Sequence, residues 1–559
     1  MKRDLLSLTG QEYDLLVIGG GITGVNIAWD ATLRGLRVAL LEKRDFGAAT
    51  SANSLKTVHG GLRYLQDGSL RLVRKMVRER QALLRIAPHL VHPLPVIMPT
   101  AKGKLMRSKL LLGTAVKLND LFSMDRNLGM DPSRKLPNGR ILSRSEAAQM
   151  LPGLDHESLS GAVMWHDAQV YNSERLLLAF LLAAAHKGAQ IANYVGVTGF
   201  LRQGERVVGV TAVDELTGTP LQVRAQLVVN AAGPWIDQLL ADLGTAAAPP
   251  QFKLSTAMNL VTRQIVPNYA VGLTSHYEQS LPDGSVAKRS RVLFIAPWRD
   301  YSLVGTLHAS YNGQPDDNWL SEQTIMAFID EVNQAYPGAK LSRQDVYQVH
   351  RGFLPAIDST DATMVKLVRE GQATDHAVED GVEGLITAVG VKYTTARYLA
   401  ETVVDLAYKK LKRPIPDCQT RQHPVCGGYI RHFEAYRASS IEQWPLEMPL
   451  YQLERLLRNY GSTHRHLLPY FSVDQAWQQP VSGETDVTRA ELVHAMRQEM
   501  ACKLSDLVLR RTEIGSAQQP DPATLHACAR LMAVELGWDD KRIDQEVEEV
   551  MGVYSASLS

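Results

Sequence analysis

The sequence predicts an α/β fold in which a Rossmann-like nucleotide domain is built from discontinuous segments. Three observations predict it. The glycine turn Gly19-Gly20-Gly21-Ile22-Thr23-Gly24 follows an apolar run and opens a helix. Two further apolar strands, near residues 230 and 390, each end in glycine. The last third of the chain repeats no such pattern and reads as mostly helical.

Tyr13 to Ile18 is the kind of apolar run a buried parallel strand needs. Reading Gly19 and Gly21 as the first two glycines and Gly24 as the third gives a dinucleotide fingerprint. Gly19 permits the tight turn, Gly21 lets backbone approach a pyrophosphate, and Gly24 lets helix and strand pack closely. The helix N-terminus then faces phosphates with its free N–H groups. A second strand, Arg37 to Leu41, ends at Glu42. An acid about 20 residues past the glycines suits ribose hydroxyls and repels a 2′-phosphate, which argues against NADP.

Ala48 to Arg63 reads as a loop at the ligand edge of the sheet. Ser69 to Ile86 reads as a basic amphipathic helix, with Leu70, Val73, Val77 and Leu84 on one face and Arg71, Arg74, Lys75, Arg78 and Arg85 around it. From Ala101 to Met124, Lys102, Lys104, Arg107 and Lys109 lead into Leu110-Leu111-Leu112, then Leu118, Leu121 and Phe122. That pattern fits a membrane-surface segment, or a core helix with solvated lysines. Leu176 to Ala185 is too short to span a bilayer and reads as a buried helix. Leu227 to Trp235 is a strand ending in a glycine turn, with Pro234 outside the strand as it must be. Phe252 to Gly313 holds short strands, including Arg291 to Ala296 and Tyr301 to Gly305. Gly384 to Gly390 is a further strand, Thr394 to Leu411 a helix, and Thr488 to Arg511 one long helix in the tail.

A chain of 559 residues implies two to four domains. A net charge of +1 gives no field for nucleic acid. The four cysteines, Cys418, Cys426, Cys502 and Cys528, form no Cys-x-x-Cys pair; they read as free thiols in a reducing cytoplasm, with no metal site expected. The charged N-terminus leads straight into the dinucleotide unit, so no secretory signal is expected.

Several motifs together closely resemble the FAD-dependent glycerol-3-phosphate dehydrogenases. They are Gly19 to Gly24, Ala49-Thr50-Ser51 and His59-Gly60-Gly61-Leu62-Arg63-Tyr64-Leu65. Further along come Asn230-Ala231-Ala232-Gly233-Pro234-Trp235, Ala296-Pro297-Trp298 with Gly305-Thr306, and Gly390-Val391-Lys392-Tyr393-Thr394-Thr395. Tyr460-Gly461-Ser462 and Leu509-Arg510-Arg511-Thr512 resemble the family's C-terminal domain. The resemblance implies a discontinuous α/β FAD-binding Rossmann-like domain (1–90, 155–250 and 345–410), an antiparallel-sheet (α+β) substrate domain (91–154 and 251–344) and a helical C-terminal domain (411–559). It implies oxidation of sn-glycerol 3-phosphate to dihydroxyacetone phosphate, with hydride passing to flavin N5 and electrons to membrane quinone or, in an oxidase branch, to oxygen. A peripheral position on the inner face of the cytoplasmic membrane goes with it, and a homodimer stays open.

By the same resemblance, Gly19, Gly21, Gly24, Glu42, Thr50, Ser51, Ala232, Gly233, Gly390, Lys392 and Thr394 hold FAD. Arg63, Tyr64, Arg369, His308 and Arg351 are the substrate-binding candidates, and His59, Lys392 and Arg63 the catalytic ones. His59 is either the proton acceptor or a structural donor that fixes its loop. Lys392 suits a developing alkoxide or a reduced flavin, and a guanidinium at Arg369 suits phosphate oxygens. Three stretches depart from the family pattern. Ser255-Thr256-Ala257-Met258 replaces Lys-Gly-Ser-His, and Gly305-Thr306-Leu307-His308 replaces Gly-Thr-Thr-Asp. Gly352-Phe353-Leu354-Pro355-Ala356 puts Leu354 where the family has a phosphate-binding arginine. Loss of one partner of a buried charge pair costs about 2–5 kcal/mol, roughly 30- to 3,000-fold in affinity. Arg351 could substitute only if its loop were rearranged; otherwise Met258, Leu307 and Leu354 add apolar surface to the pocket. The sequence therefore leaves open glycerol 3-phosphate itself, a different polyol, polyol phosphate or hydroxy acid, or a flavin-binding paralogue without turnover.

Overall fold

The computed structural model describes residues 1–555 apart from 66, 103–107, 242, 244–252, 281–284 and 358–364. Lys104, Arg107 and Phe252, named above, lie outside the described residues.

Strand Glu12–Ile18 is buried from Tyr13 onward because helices cover one side of its sheet and a β-hairpin layer the other. Leu15 and Val17 pack into the cluster that holds Val25, Trp29, Phe180, Leu399 and Val403; Leu16 and Ile18 pack with Val195, Val207 and Val210. Parallel neighbours are Pro220–Asn230 on one side and Val38–Leu41 on the other, flanked in turn by Leu385–Val389 and Gln190–Ala192. The sheet thus draws its five parallel strands from three distant stretches of the chain, 12–41, 190–230 and 385–389. Each ends at the same edge, where Gly19, Glu42, Ala231 and Gly390 converge.

A second, ten-stranded sheet is antiparallel except where Ala270–Val271 runs parallel to Val96–Ile97. One face is sealed by helix Glu322–Ala335, whose Ile325, Phe328, Ile329 and Val332 bury Met258, Leu260, Leu293, Ile295 and Val304. Strand alternation sends Ala257, Asn259, His308 and Leu354 to the opposite face, toward the first sheet. The C-terminal region is helical, with a core of its own around Leu492, Leu504, Leu525, Met532 and Val550. All four cysteines are free thiols.

Some local expectations change. Leu70 is 44% exposed, and the buried face of helix Leu70–Ile86 instead carries Val73, Met76, Val77, Leu83 and Leu84, with Glu79 and Arg80 also buried. The strands at 291–296 and 301–305 extend to Val286–Trp298 and Tyr301–Tyr311. The long tail helix is broken: Arg489–Gln498 stops, Met500 takes a left-handed φ of 55°, and a π-helical turn runs from Leu507 to Arg511.

Candidate active site

The glycine turn has the shape its sequence demands. Gly19 sits at φ 106°, and a Cβ there would lie 2.5 Å from the Ala231 carbonyl oxygen. A Cβ on Gly24 would lie 1.9 Å from the Gly19 carbonyl oxygen. Gly21 is the N-cap of helix Ile22–Leu33, and the Ser51 hydroxyl accepts from the Ile22 N–H at 2.9 Å. Glu42 accepts from the Gly20 N–H at 2.6 Å and the Arg44 N–H at 2.8 Å, while burial raises its carboxyl pKa. The turn opens into a cavity of about 500 Å³. Its walls include Gly19, Gly21, Glu42, Thr50, Ser51, Ala232, Gly233, Leu354, Gly390 and Lys392. Side-chain-free backbone at a helix N-terminus is a cradle for a pyrophosphate, and the apolar remainder suits flat rings.

Lys392 joins that cavity to a cluster of titratable groups. Its ammonium donates to the Arg369 carbonyl and lies 5.2 Å from the centre of the Tyr64 ring, and Arg63 sits 4.9 Å from the same ring. Arg369 pairs with Asp67 at 3.1 Å. Burial lowers the Lys392 ammonium to about 8, with Arg63 adding to the effect. Burial lowers the His59 imidazole to about 4; Asp167 opposes this, and Lys392, Arg63 and Arg80 add to it. His59 is thus buried among Asp167, Lys392, Arg63 and Arg80, its imidazole held toward the neutral form.

The family of FAD-dependent oxidoreductases matches residues 14–406, and the C-terminal domain of alpha-glycerophosphate oxidase matches residues 418–543. A glycerol-3-phosphate dehydrogenase of Synechocystis sp. is 31% identical over 98% of this chain and 97% of its own. This chain belongs to the FAD-dependent glycerol-3-phosphate dehydrogenase family. Glycerol-3-phosphate dehydrogenase 2 of Mycobacterium tuberculosis is also 31% identical, over 98% of this chain and 89% of its own. The mitochondrial glycerol-3-phosphate dehydrogenase of Mesocricetus auratus is 32% identical, over 98% and 74%. Among solved structures, that of the glycerol-3-phosphate dehydrogenase from Bacillus halodurans complexed with FAD shares the fold, with a TM-score of 0.74 at 24% identity over 99% of this chain and 97% of that one.

The protein is thus an FAD-dependent oxidoreductase acting on CH–OH, and the cradle just described fits that cofactor. Of the residues expected to hold FAD, nine line the cavity; Gly24 and Thr394 lie behind it, Gly24 through its close approach to Gly19 and Thr394 buried at the turn before helix Ala396–Lys410. Thr50 does double duty, since its hydroxyl accepts from the Phe353 N–H at 3.1 Å and so ties the loop to the second sheet. His308 faces the same side as Leu354, and burial lowers its imidazole to about 4.

The structure does not bring Arg351 to the cavity. Residues 346–357 form a regular strand, Arg351 pairs with Met258 on the face covered by helix Glu322–Ala335, and its guanidinium donates to Asn318 Oδ1 at 2.8 Å. Met258 and Leu307 share that far face, so of the three apolar replacements only Leu354 reaches the cavity.

Several residues that position the site had no motif to mark them. Asp167 accepts from the Gly60 N–H at 2.6 Å and the Trp165 indole at 2.9 Å, and pairs with Arg80, which fixes the loop after His59. Buried Lys56 donates to the Ala52 carbonyl at 3.1 Å, Ser173 Oγ at 2.7 Å and Glu174 Oε1 at 3.0 Å, and so holds the loop before His59. Gly352 lets that loop approach, since a Cβ there would lie 2.9 Å from Thr50 Oγ1. The available signal was charge in unexpected company: a lysine in a small-residue loop and an arginine on an apolar helix face.

Proposed function

We propose that this enzyme oxidises the secondary alcohol of sn-glycerol 3-phosphate to dihydroxyacetone phosphate and passes the electrons to membrane quinone. The observation that carries the reading is the buried imidazole of His59 facing the charges of Lys392 and Arg63, with Lys392 lining the cofactor cavity and Arg369 beside Lys392. Bound FAD supplies the two-electron acceptor. His59 takes the hydroxyl proton on a ring nitrogen, and its low pKa keeps that nitrogen free at neutral pH. Lys392 stabilises the alkoxide as it forms. Arg63, stacked on Tyr64, and Arg369 grip the phosphate, and His308 borders the substrate from the second sheet. Gly19, Gly21, Glu42, Thr50, Ser51, Ala232, Gly233 and Gly390 hold FAD, with Gly24 and Thr394 in support. Residues 1–90, 155–250 and 345–410 form the FAD-binding domain, 91–154 and 251–344 the substrate domain, and 411–559 the C-terminal domain, with strands Thr57–Val58, Leu159–Val170 and Val346–Ile357 of the first lent to the second sheet.

One observation favours a second reading. Leu354 presents an apolar side chain to the cavity on the face shared with His308, which suits a related polyol or hydroxy compound with a different tail. Anaerobic bleaching of the bound flavin separates the two. Glycerol 3-phosphate, glycerol, other polyol phosphates and 2-hydroxy acids would be mixed with the holoenzyme in turn. Rapid bleaching by glycerol 3-phosphate is expected; bleaching only by another compound would refute that substrate and leave the second reading.

The proposed membrane contact is the helix Lys109–Phe122 and the turn after it. Leu110, Met124 and Leu128 are 81%, 75% and 73% exposed, with Leu111, Leu118 and Leu121 beside them. Among the described residues no helix is long and apolar enough to cross a membrane, so the contact proposed is peripheral, at the inner face of the cytoplasmic membrane.

A further inference from the structure

The motif Leu509-Arg510-Arg511-Thr512 has no part in the chemistry above, yet both arginines are buried against the cofactor cradle. Residues 42–47 form a strap across the glycine turn. Glu42 accepts from the Gly20 N–H, Gly47 N–H donates to the Gly20 carbonyl at 3.1 Å, and a Cβ on Gly20 would lie 2.8 Å from the Phe46 ring. At the middle of the strap, the fully buried Asp45 carboxylate receives four donors. Arg511 holds both oxygens, Nη1 and Nη2 each at 2.7 Å, Arg510 Nε reaches Oδ2 at 2.5 Å, and Asn193 Nδ2 reaches Oδ1 at 3.1 Å.

The π-helical turn Leu507–Arg511 makes this grip possible. Successive residues of an α-helix point about 100° apart; the wider turn lets two consecutive arginines meet one carboxylate. The arginines are themselves fixed. Arg510 Nη2 donates to Asp506 Oδ1 at 2.9 Å, the Tyr194 hydroxyl donates to the same oxygen at 2.5 Å, and Arg511 Nε donates to the Glu499 carbonyl at 3.0 Å. A buried ion pair adds little net stability, so such an arrangement is better read as fixing geometry.

We infer that the C-terminal domain holds the FAD cradle in its binding shape through this clasp, with Asp45, Arg510 and Arg511 as positioning residues for cofactor retention. Burial alone would raise the Asp45 carboxyl pKa, but Arg511 and Arg510 hold it well below the usual range.

The test uses the full chain, freed of FAD and titrated with it by flavin fluorescence. Asp45→Asn and Arg511→Lys keep the shape but weaken the grip. Glu499→Gln is the control. It removes the charge from another buried pair between the same domains, with Arg175 at 2.6 Å, whose residues do not line the cavity, and it keeps the backbone carbonyl that receives Arg511 Nε. Asp45→Asn and Arg511→Lys should raise the FAD Kd by about tenfold or more. KM for the alcohol at saturating FAD should be unchanged, and Glu499→Gln should leave the FAD Kd within about twofold of the parent. Parental FAD affinity in both clasp variants would overturn the inference. So would an equal loss in Glu499→Gln, which would mean general undocking. If neither clasp variant folds, hydrogen exchange on the natural protein decides. The Gly20 and Gly47 amides should open together with residues 504–512 in mild urea, and a strap that exchanges freely while that segment stays protected would overturn the inference.

Discussion

Gly24→Ala probes the cradle most directly. Its Cβ would fall 1.9 Å from the Gly19 carbonyl oxygen, 3.1 Å from the Gly19 carbonyl carbon and 3.3 Å from Val17 Cγ1. Real Cβ contacts under 3.0 Å essentially never occur, so the peptide of Gly19 must retreat by about 1 Å, a shift that well-packed interiors resist. It has no room to do so. The Gly19 N–H is tied to the Leu41 carbonyl at 2.8 Å, and the Ala231 carbonyl bounds the other side. Overpacking of this kind costs about 1–3 kcal/mol. Because the atoms displaced are those that face the pyrophosphate, the loss should appear as a roughly 5- to 150-fold higher FAD Kd. Gly390→Ala is the informative contrast. Its Cβ would lie 2.1 Å from Thr23 Oγ1, a side-chain atom, so Thr23→Ala should rescue Gly390→Ala but not Gly24→Ala. Fluorescence titration of apoprotein with FAD reads both. A Gly24→Ala protein that binds FAD like the parent would refute the cradle as drawn.

Other expectations concern the chemistry and its surroundings. Lys392→Ala should slow anaerobic flavin reduction while FAD stays bound; an unchanged rate removes the ammonium from the mechanism. The pH profile of kcat/KM should rise as His59 loses its proton near 4 and fall as Lys392 loses its own near 8. The sign follows from roles that need His59 neutral and Lys392 charged, and His59→Asn should abolish the acid limb; a profile flat to pH 9 would contradict the cationic role. Leu354→Arg should improve kcat/KM for glycerol 3-phosphate if the lost arginine explains a changed tail preference, and no gain would place the phosphate elsewhere. Leu121→Asp with Met124→Asp should reduce sedimentation with anionic vesicles without changing solution turnover; equal sedimentation would put the membrane contact on another surface.

The sequence revealed what local backbone and strand periodicity determine. The glycine turn, the parallel strands and the loop after Gly47 follow from conformational needs expressed within a few residues. The strand at 346–357 was legible in principle as well. Residues 351 and 354 differ by three, so a regular strand sends them to opposite faces. Leu354 at the cavity already excluded Arg351 from it, and only a rearranged loop could have said otherwise. The tail failed for the opposite reason: helical propensity continues through residue 511, but Met500 breaks the helix and the π-helical turn that follows is fixed by pairs with residues far upstream in the chain.

Those distant pairs are also what periodicity misread in helix Leu70–Ile86. A pattern of apolar and charged residues assigns the charges to solvent, and Glu79 and Arg80 are instead buried on both counts. Arg80 pairs with Asp167 beneath the His59 loop, and Glu79 accepts from Arg397 at 2.6 and 2.7 Å across to helix Ala396–Lys410, which follows the motif Gly390 to Thr395. An unpaired charge at either place would be costly, so each residue is tolerated only because its partner arrives from another segment. The same logic binds Lys56 to Glu174 and Asp45 to Arg511. Three of these four pairs fasten a part of the chain that touches the cavity or the loop bearing His59. The motif residues proposed to do the chemistry can be read from sequence because the roles proposed for them are local. The buried charges that aim them cannot, because what each one needs is supplied only by the finished fold.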